Sequence, residues 1–298
     1  MSRIGLPSVV LLLKYFLKSF PFSQASRLIF GNNAGLMNNL GKNARYLWRN
    51  NSNLTHETRL LWNKGFVQLE NHFHDKDLIN HISKQFQEEV SRVEKTFDST
   101  KPKVVYAVPL LDKIHGLEKI YTDKINTLLD AYFINQSWSI VDISAWRNYF
   151  WEEAGNVDVN SDQWHNDEEK LNTIKLFIIL SKGVAIENGA TKIIDRIQTK
   201  KVMRRGYLSR ERILPPAATY IANRAQINFM EGEIGNSFIF NPQICLHAAG
   251  RVKKNHFRDV ICFTIQESKK AIPVEENFKR LASQQRERFN RGKSIQLR

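Results

Sequence analysis

His165 and Asp167 stand two apart in the stretch Gln163-Trp164-His165-Asn166-Asp167. On an extended strand, residues i and i+2 project from the same face. An imidazole and a carboxylate on one face can supply two of three protein ligands to a metal ion. A third candidate is His247, in Leu246-His247-Ala248-Ala249-Gly250, far along the chain. Two imidazoles and one carboxylate, with coordination positions left open, make the facial triad of non-haem Fe(II) oxygenases. Eleven residues past His247 comes Arg258, which opens the apolar run Asp259-Val260-Ile261-Cys262-Phe263-Thr264-Ile265.

A rival cluster lies at His72-Phe73-His74-Asp75. It resembles a ligand set, but Asp75 stands where helix N-caps stand, and acidic groups suit the first turn of a helix. That stretch therefore reads as the start of a helix running to about Glu94, with Leu78, Ile79, Ile82 and Phe86 at helical spacing.

The elements that must position the first three residues read as strands and turns. Ser52 to Glu70 reads as a helix followed by a strand, 102–112 as strand and loop, 116–133 as a helix, and Ser137 to Trp151 as a strand. Gly155 to Asp162 is polar and turn-rich and delivers the chain to the His165 strand. Ile174 to Leu180 follows as a strand. Its alternation puts Lys175, Phe177 and Ile179 on one face and Leu176, Ile178 and Leu180 on the other. Both faces are mainly apolar, as in a strand covered on two sides. Lys175 is the odd residue there, and a buried ammonium needs an anionic partner.

With the His-x-Asp pair, the distant His, the Arg at its interval and the Gly-x-Ser-x-x-Phe lead-in at Gly235 to Phe240, the chain resembles the phytanoyl-CoA dioxygenase-like Fe(II)/2-oxoglutarate oxygenases. The resemblance covers roughly Leu61 to Glu267. It implies a mainly β fold with flanking helices, a double-stranded β-helix or jelly roll of cupin type. It implies Fe(II) held by His165, Asp167 and His247, with 2-oxoglutarate as cosubstrate. It makes Arg258 the anchor of the far carboxylate, a task suited to the planar guanidinium fork. Lys175 and Phe177 are further cosubstrate-pocket candidates. Glu187-Asn188-Gly189-Ala190-Thr191 resembles the turn before another barrel strand. The implied reaction is hydroxylation of a substrate C–H bond. Asp167 argues against the halogenating branch, which lacks the carboxylate. One departure is Ala249, where members often carry Ser or Gly.

Three regions follow: an amphipathic segment and linker at 1–55, the oxygenase domain at 56–270, and a charged tail at 271–298. Near the N-terminus, Leu13, Phe16, Leu17 and Phe20 share one helical face and Lys14 and Lys18 another. The run is too short to span a bilayer. It reads either as a helix lying on a membrane surface or as a cap on the domain. After Thr191 comes a basic, loop-like insertion with Arg196, Lys200, Lys201, Arg204, Arg205, Arg210 and Arg212, broken by Pro215-Pro216 and followed by a helix near 217–224.

With 44 Lys and Arg against 30 Asp and Glu, the 298-residue chain carries a formal charge of +14. That balance favours an anionic partner. The expected partner is a small-molecule or lipid-linked substrate, such as an anionic lipid or a lipopolysaccharide sugar, met at a peripheral membrane contact. A soluble small metabolite is the alternative. A non-catalytic nucleic-acid-binding protein is the rival from another class, but the insertion offers only Tyr207 and Tyr220 for stacking. Two cysteines make no disulfide framework in a chain this long. They point to the cytoplasm, with the inner membrane face as the expected peripheral location.

Overall fold

The computed structural model describes residues 55–69, 75–94, 104–106, 109–133, 136–150, 162–167 and 171–291. The amphipathic N-terminus, the linker and the His72–His74 cluster lie outside them. In chain order the elements are α1 (His56–Lys64), β1 (Phe66–Leu69), α2 (Lys76–Glu94), β2 (Val104–Tyr106), α3 (Leu110–Lys113), a 3-10 turn (Leu117–Ile120), α4 (Asp123–Phe133), β3 (Ser137–Tyr149) and β4 (Thr173–Ile179). Then come β5 (Thr191–Ile194), α5 (Arg196–Arg204), β6 (Tyr207–Ser209), β7 (Arg212–Ile213), α6 (Pro215–Asn223), β8 (Ile227–Met230), β9 (Ser237–Phe240), β10 (Leu246–Ala248), β11 (Phe257–Ser268) and α7 (Val274–Asn290).

The strands form a six-stranded sheet in the order β1-β9-β4-β11-β3-β2, a three-stranded sheet β10-β5-β8, and the small hairpin β6-β7. All the pairings are antiparallel. Side-chain alternation explains why the two larger sheets face each other. On β4, Phe177 and Ile179 enter an inner layer with Phe240 and Val260 of the large sheet and Ile193 and Met230 of the small one. Ile174, Leu176 and Ile178 point the other way, into a second layer shared with Leu61, Phe86 and Leu129 of the flanking helices. Each such side chain contributes about 1.5–3 kcal/mol by leaving water. The product is a double-stranded β-helix of jelly-roll type with helices over the outer face of the large sheet, as the sequence leads one to expect.

Helix starts follow their capping chemistry. Thr55 Oγ1 accepts from the Thr58 amide at the start of α1. Asp75 Oδ1 accepts from the Leu78 amide at 2.8 Å, which is the role expected of it. Glycine at 65 ends α1 in the left-handed region, φ 86°, its amide donating to Leu61 O. The charged segment beyond 274 forms α7, which docks by Phe278 and Leu281 in the helix-side core and by Gln285 Nε2 on the Ile143 carbonyl.

Three expectations about these elements need correction. The stretch 116–133 is not one helix: a 3-10 turn ends before Tyr121, and α4 restarts at Asp123. The insertion after Thr191 is not a loop. Asp195 caps α5, accepting from the Gln198 amide at 2.7 Å, and Thr199, Val202 and Met203 are buried. Its charges lie on the remaining face, which hides a short amphipathic helix from a reading by charge density. Pro215 and Pro216 start α6 instead of breaking structure, since proline suits the first helical turn.

On the helix side of the large sheet, Asp259 is fully buried and takes a bidentate pair from Arg147, 2.6 and 2.7 Å. The Arg147 guanidinium also lies 4.1 Å from the centre of the Phe257 ring. Burial still holds the Asp259 carboxyl above its ordinary pKa, against the pull of Arg147. Arg147→Ala is therefore expected to destabilise the protein by about 3–5 kcal/mol, the scale of an abandoned buried charge. Arg147→Ala with Asp259→Leu should cost less than the single change, and urea unfolding of the two variants measures the difference.

Candidate metal centre

His165 does not lie in a ladder strand, as its alternation suggests, but in one isolated bridge. His165 and His247 exchange both backbone hydrogen bonds, each 3.0 Å. The ladder stops there because the next inward amide, that of Asp167, donates to Pro242 O at 3.0 Å. The Asn166 side-chain amide reaches the carbonyls of Pro242 and Gln243, 3.4 and 3.3 Å. The turn after β9 thus grips the segment on both sides of the pair. The i, i+2 relation survives, and both side chains converge with His247.

Each imidazole is fixed through its far nitrogen. His165 Nδ1 lies 2.7 Å from Gln163 O, and His247 Nδ1 lies 3.2 Å from Cys245 O. A carbonyl can only accept, so both Nδ1 atoms carry the proton and both Nε2 lone pairs are exposed. Those Nε2 atoms stand 3.8 and 3.7 Å from the same atom, Asp167 Oδ1. The three ligand atoms lie within 4.8 Å of one another. Burial pushes the His165 imidazole below its ordinary pKa and that of His247 down to about 3. Neutral imidazoles are the metal-binding form. Burial works to raise the Asp167 carboxyl, but His247, Lys175 and His165 together outweigh it and hold it at about 2.

Lys175 has the anionic partner its position demands. Its Nζ lies 2.5 Å from Asp167 Oδ2. The two carboxylate oxygens are therefore divided, Oδ2 to the ammonium and Oδ1 to the imidazoles. Phe177, on the same face of β4, packs against Trp146 and Phe240 at ring distances of 5.7 and 5.3 Å. Phe240 in turn lies 5.1 Å from the His247 ring. Phe177 is thus one aromatic layer behind the histidine.

Arg258 faces the interior with Val260 and Cys262, which alternate with it along β11. Its side chain spans the two sheets. Nη1 donates to Gly189 O and, at 2.9 Å, to Thr191 Oγ1; Nη2 donates to Asn148 Oδ1 at 2.9 Å. Its Nε is buried without a hydrogen-bond partner among the described residues. Burial lowers the guanidinium pKa to about 10, with Asp162 opposing. Its hydrogen-bond acceptors are all neutral, and the stabilising charge comes from Asp162. Gly189 lets the turn approach: its φ is 77°, and a Cβ there would stand 2.6 Å from Gly250 O.

Sequence reasoning missed Asn148, Thr191 and Gly189 as a cradle for Arg258. Asn148 shares a strand face with Trp146, so its inward direction was readable. Its pairing with Arg258 depends on the register of β3 on β11, where the two stand opposite. No short motif encodes that.

No family model matches the sequence. No curated protein matches it either. Among solved structures, EctD from S. alaskensis with 2-oxoglutarate and 5-hydroxyectoine is similar at 13% identity over 76% of this chain and 84% of that one, with a TM-score of 0.51. The apoform of EctD is similar at 14% identity over 74% and 79%, again at 0.51. At such identity the likeness is one of fold, and it places this chain among proteins built on the double-stranded β-helix.

Proposed function

We propose that the protein is an Fe(II)- and 2-oxoglutarate-dependent oxygenase of the phytanoyl-CoA dioxygenase-like kind, hydroxylating a substrate C–H bond. The observation that carries this reading is the convergence of two Nε2 atoms and one carboxylate oxygen, each imidazole locked by a backbone carbonyl. The donor set fits Fe(II). The buried Arg258, its Nε without a hydrogen-bond partner among the described residues, fits a dicarboxylate cosubstrate. The similar fold of a protein solved with 2-oxoglutarate is in keeping with both.

When bound, iron and cosubstrate supply oxygen activation, in which 2-oxoglutarate, O2 and the substrate C–H yield succinate, CO2 and the alcohol. The chain contributes position and charge. His165, His247 and Asp167 Oδ1 would hold the metal. Lys175 keeps Oδ2 occupied, so Oδ1 is the carboxylate oxygen that would serve a metal. Arg258 would receive the far carboxylate of the cosubstrate as a bidentate pair. Phe240 packs its apolar ring against His247 with Phe177 behind it, and such a low-dielectric wall strengthens these charge interactions.

The proposed substrate is anionic, lipid-linked or a lipopolysaccharide sugar, approached from the inner membrane face. Support comes from the charge of +14 and the amphipathic sequence at 9–20. No helix among the described residues is long and apolar enough to cross a membrane. A nucleic-acid-binding role is disfavoured by burial of both stacking candidates, Tyr207 and Tyr220, in the core under α5 and α6.

The test is succinate formation from 2-oxoglutarate by the purified protein, with and without Fe(II), against lipid, glycan and metabolite extracts. Iron-dependent succinate stimulated by one extract is expected. Failure of 2-oxoglutarate to bind saturably with Fe(II) present would overturn the reading.

A further inference from the structure

The β6–β7 hairpin closes one side of an open cleft of about 490 Å³. Asp162, Gln163 and Trp164, the residues leading into His165, line it as well. The carbonyl of Gln163 is the one that orients the His165 imidazole. A group bound in the cleft therefore lies along the segment that fixes a proposed metal ligand.

Three cations reach the cleft from three separate parts of the chain: Lys192 on β5, Arg251 after β10, and Arg210 at the hairpin turn. Two acids share it. Glu211 is exposed, and Asp162 is buried and acts electrostatically on Arg258. Among the described residues the lining thus holds three cations against two acids, and positive clefts with low-dielectric walls concentrate anions. A second observation points to a ligand with hydroxyls. Gln163 Oε1 is buried and has no hydrogen-bond partner among the described residues. A buried acceptor left unpaired is costly, and an incoming O–H would satisfy it. Trp164 adds an aromatic wall, with Lys192 Nζ 5.4 Å from its ring centre.

We propose that this cleft binds a phosphorylated, hydroxyl-bearing part of the substrate. Arg210, Arg251 and Lys192 take the phosphate, and Gln163 accepts from a hydroxyl. Calling the ligand a substrate rests on the oxygenase reading; the binding itself does not. Phosphate is preferred to carboxylate because a dianion with three acceptor oxygens can engage three cations from different directions, where a carboxylate serves one planar fork.

The smallest probe carrying both groups is glycerol 3-phosphate, titrated calorimetrically into the full chain. Saturable binding is expected, with glycerate weaker by about tenfold or more, the loss of one charge-assisted contact. Arg210→Glu and Arg251→Glu should each weaken glycerol 3-phosphate by at least about tenfold. Arg210→Gln and Arg251→Gln serve if a reversal unfolds the chain. Absence of binding, equal binding of glycerate, or unchanged affinity in the variants would overturn the proposal. Vesicles of phosphatidylglycerol separate the sources of the phosphate. Flotation lost on Arg210→Glu identifies a lipid headgroup, and free glycerol 3-phosphate binding without flotation identifies a soluble ligand; both support the site. Fe(II) and 2-oxoglutarate are titrated into the same samples. A protein that binds them but not the phosphate loses the cleft alone, and the converse result loses the oxygenase reading alone.

Discussion

His165→Ala and Asp167→Ala proteins are expected to lose stoichiometric Fe(II) binding and all iron-dependent succinate formation. Each removes one of three converging donor atoms, and the two that remain cannot define a face. The loss should exceed the roughly 10- to 100-fold that follows from disturbing residues around a metal's ligands. Asp167→Ala carries a second effect, because Lys175 loses the oxygen 2.5 Å from its ammonium. Asp167→Asn keeps the shape and removes the charge, and it should lose iron while remaining closer to the wild-type thermal stability. His115→Ala changes an exposed histidine outside the cluster and should bind iron as wild type does. His72→Ala and His74→Ala should do the same. Metal titration of the purified variants decides it: unchanged iron affinity in both His165→Ala and Asp167→Ala would remove the triad, and loss in His72→Ala or His74→Ala would move it.

Arg258→Ala is expected to weaken 2-oxoglutarate by about 2 kcal/mol or more, about 30-fold, the scale of a lost charge-assisted pair. It also strands three acceptors, Gly189 O, Thr191 Oγ1 and Asn148 Oδ1. A drop in thermal stability should therefore accompany the loss. Arg258→Lys should restore part of the affinity, since an ammonium supplies the charge without the planar fork. Asn148→Ala separates positioning from charge. It leaves the guanidinium and removes one of its supports, so cosubstrate affinity should fall by less than in Arg258→Ala. Anaerobic titration of 2-oxoglutarate into the iron-loaded variants measures all three. Wild-type affinity in Arg258→Ala would rule the assignment out.

Much of this site is legible in residue order because strand geometry is local. The two-residue period fixes that His165 and Asp167 share a direction, and the same period turns Lys175, Phe177 and Ile179 to one side of β4. It also puts Arg258 on the face of Val260 and Cys262. Cap chemistry is equally local, which is why Asp75 could be read as a helix start. The insertion at 196–213 resisted for a physical reason. A nine-residue helix needs only one narrow apolar stripe, and the charges around Thr199, Val202 and Met203 conceal it from composition.

What the sequence determined by itself was therefore the identity and facing of the candidate ligands, the alternation of the barrel strands and the excess of positive charge. Which groups meet was decided only by the tertiary structure. The bridge between His165 and His247 joins positions 82 apart. The division of the Asp167 carboxylate between Lys175 and the imidazoles, and the cradle around Arg258, follow from register across two sheets. The cleft draws its cations from β5, the β6–β7 turn and the segment after β10. Those contacts depend on loop closures and strand order, and nothing in the local period of the chain specifies which distant segment will stand opposite.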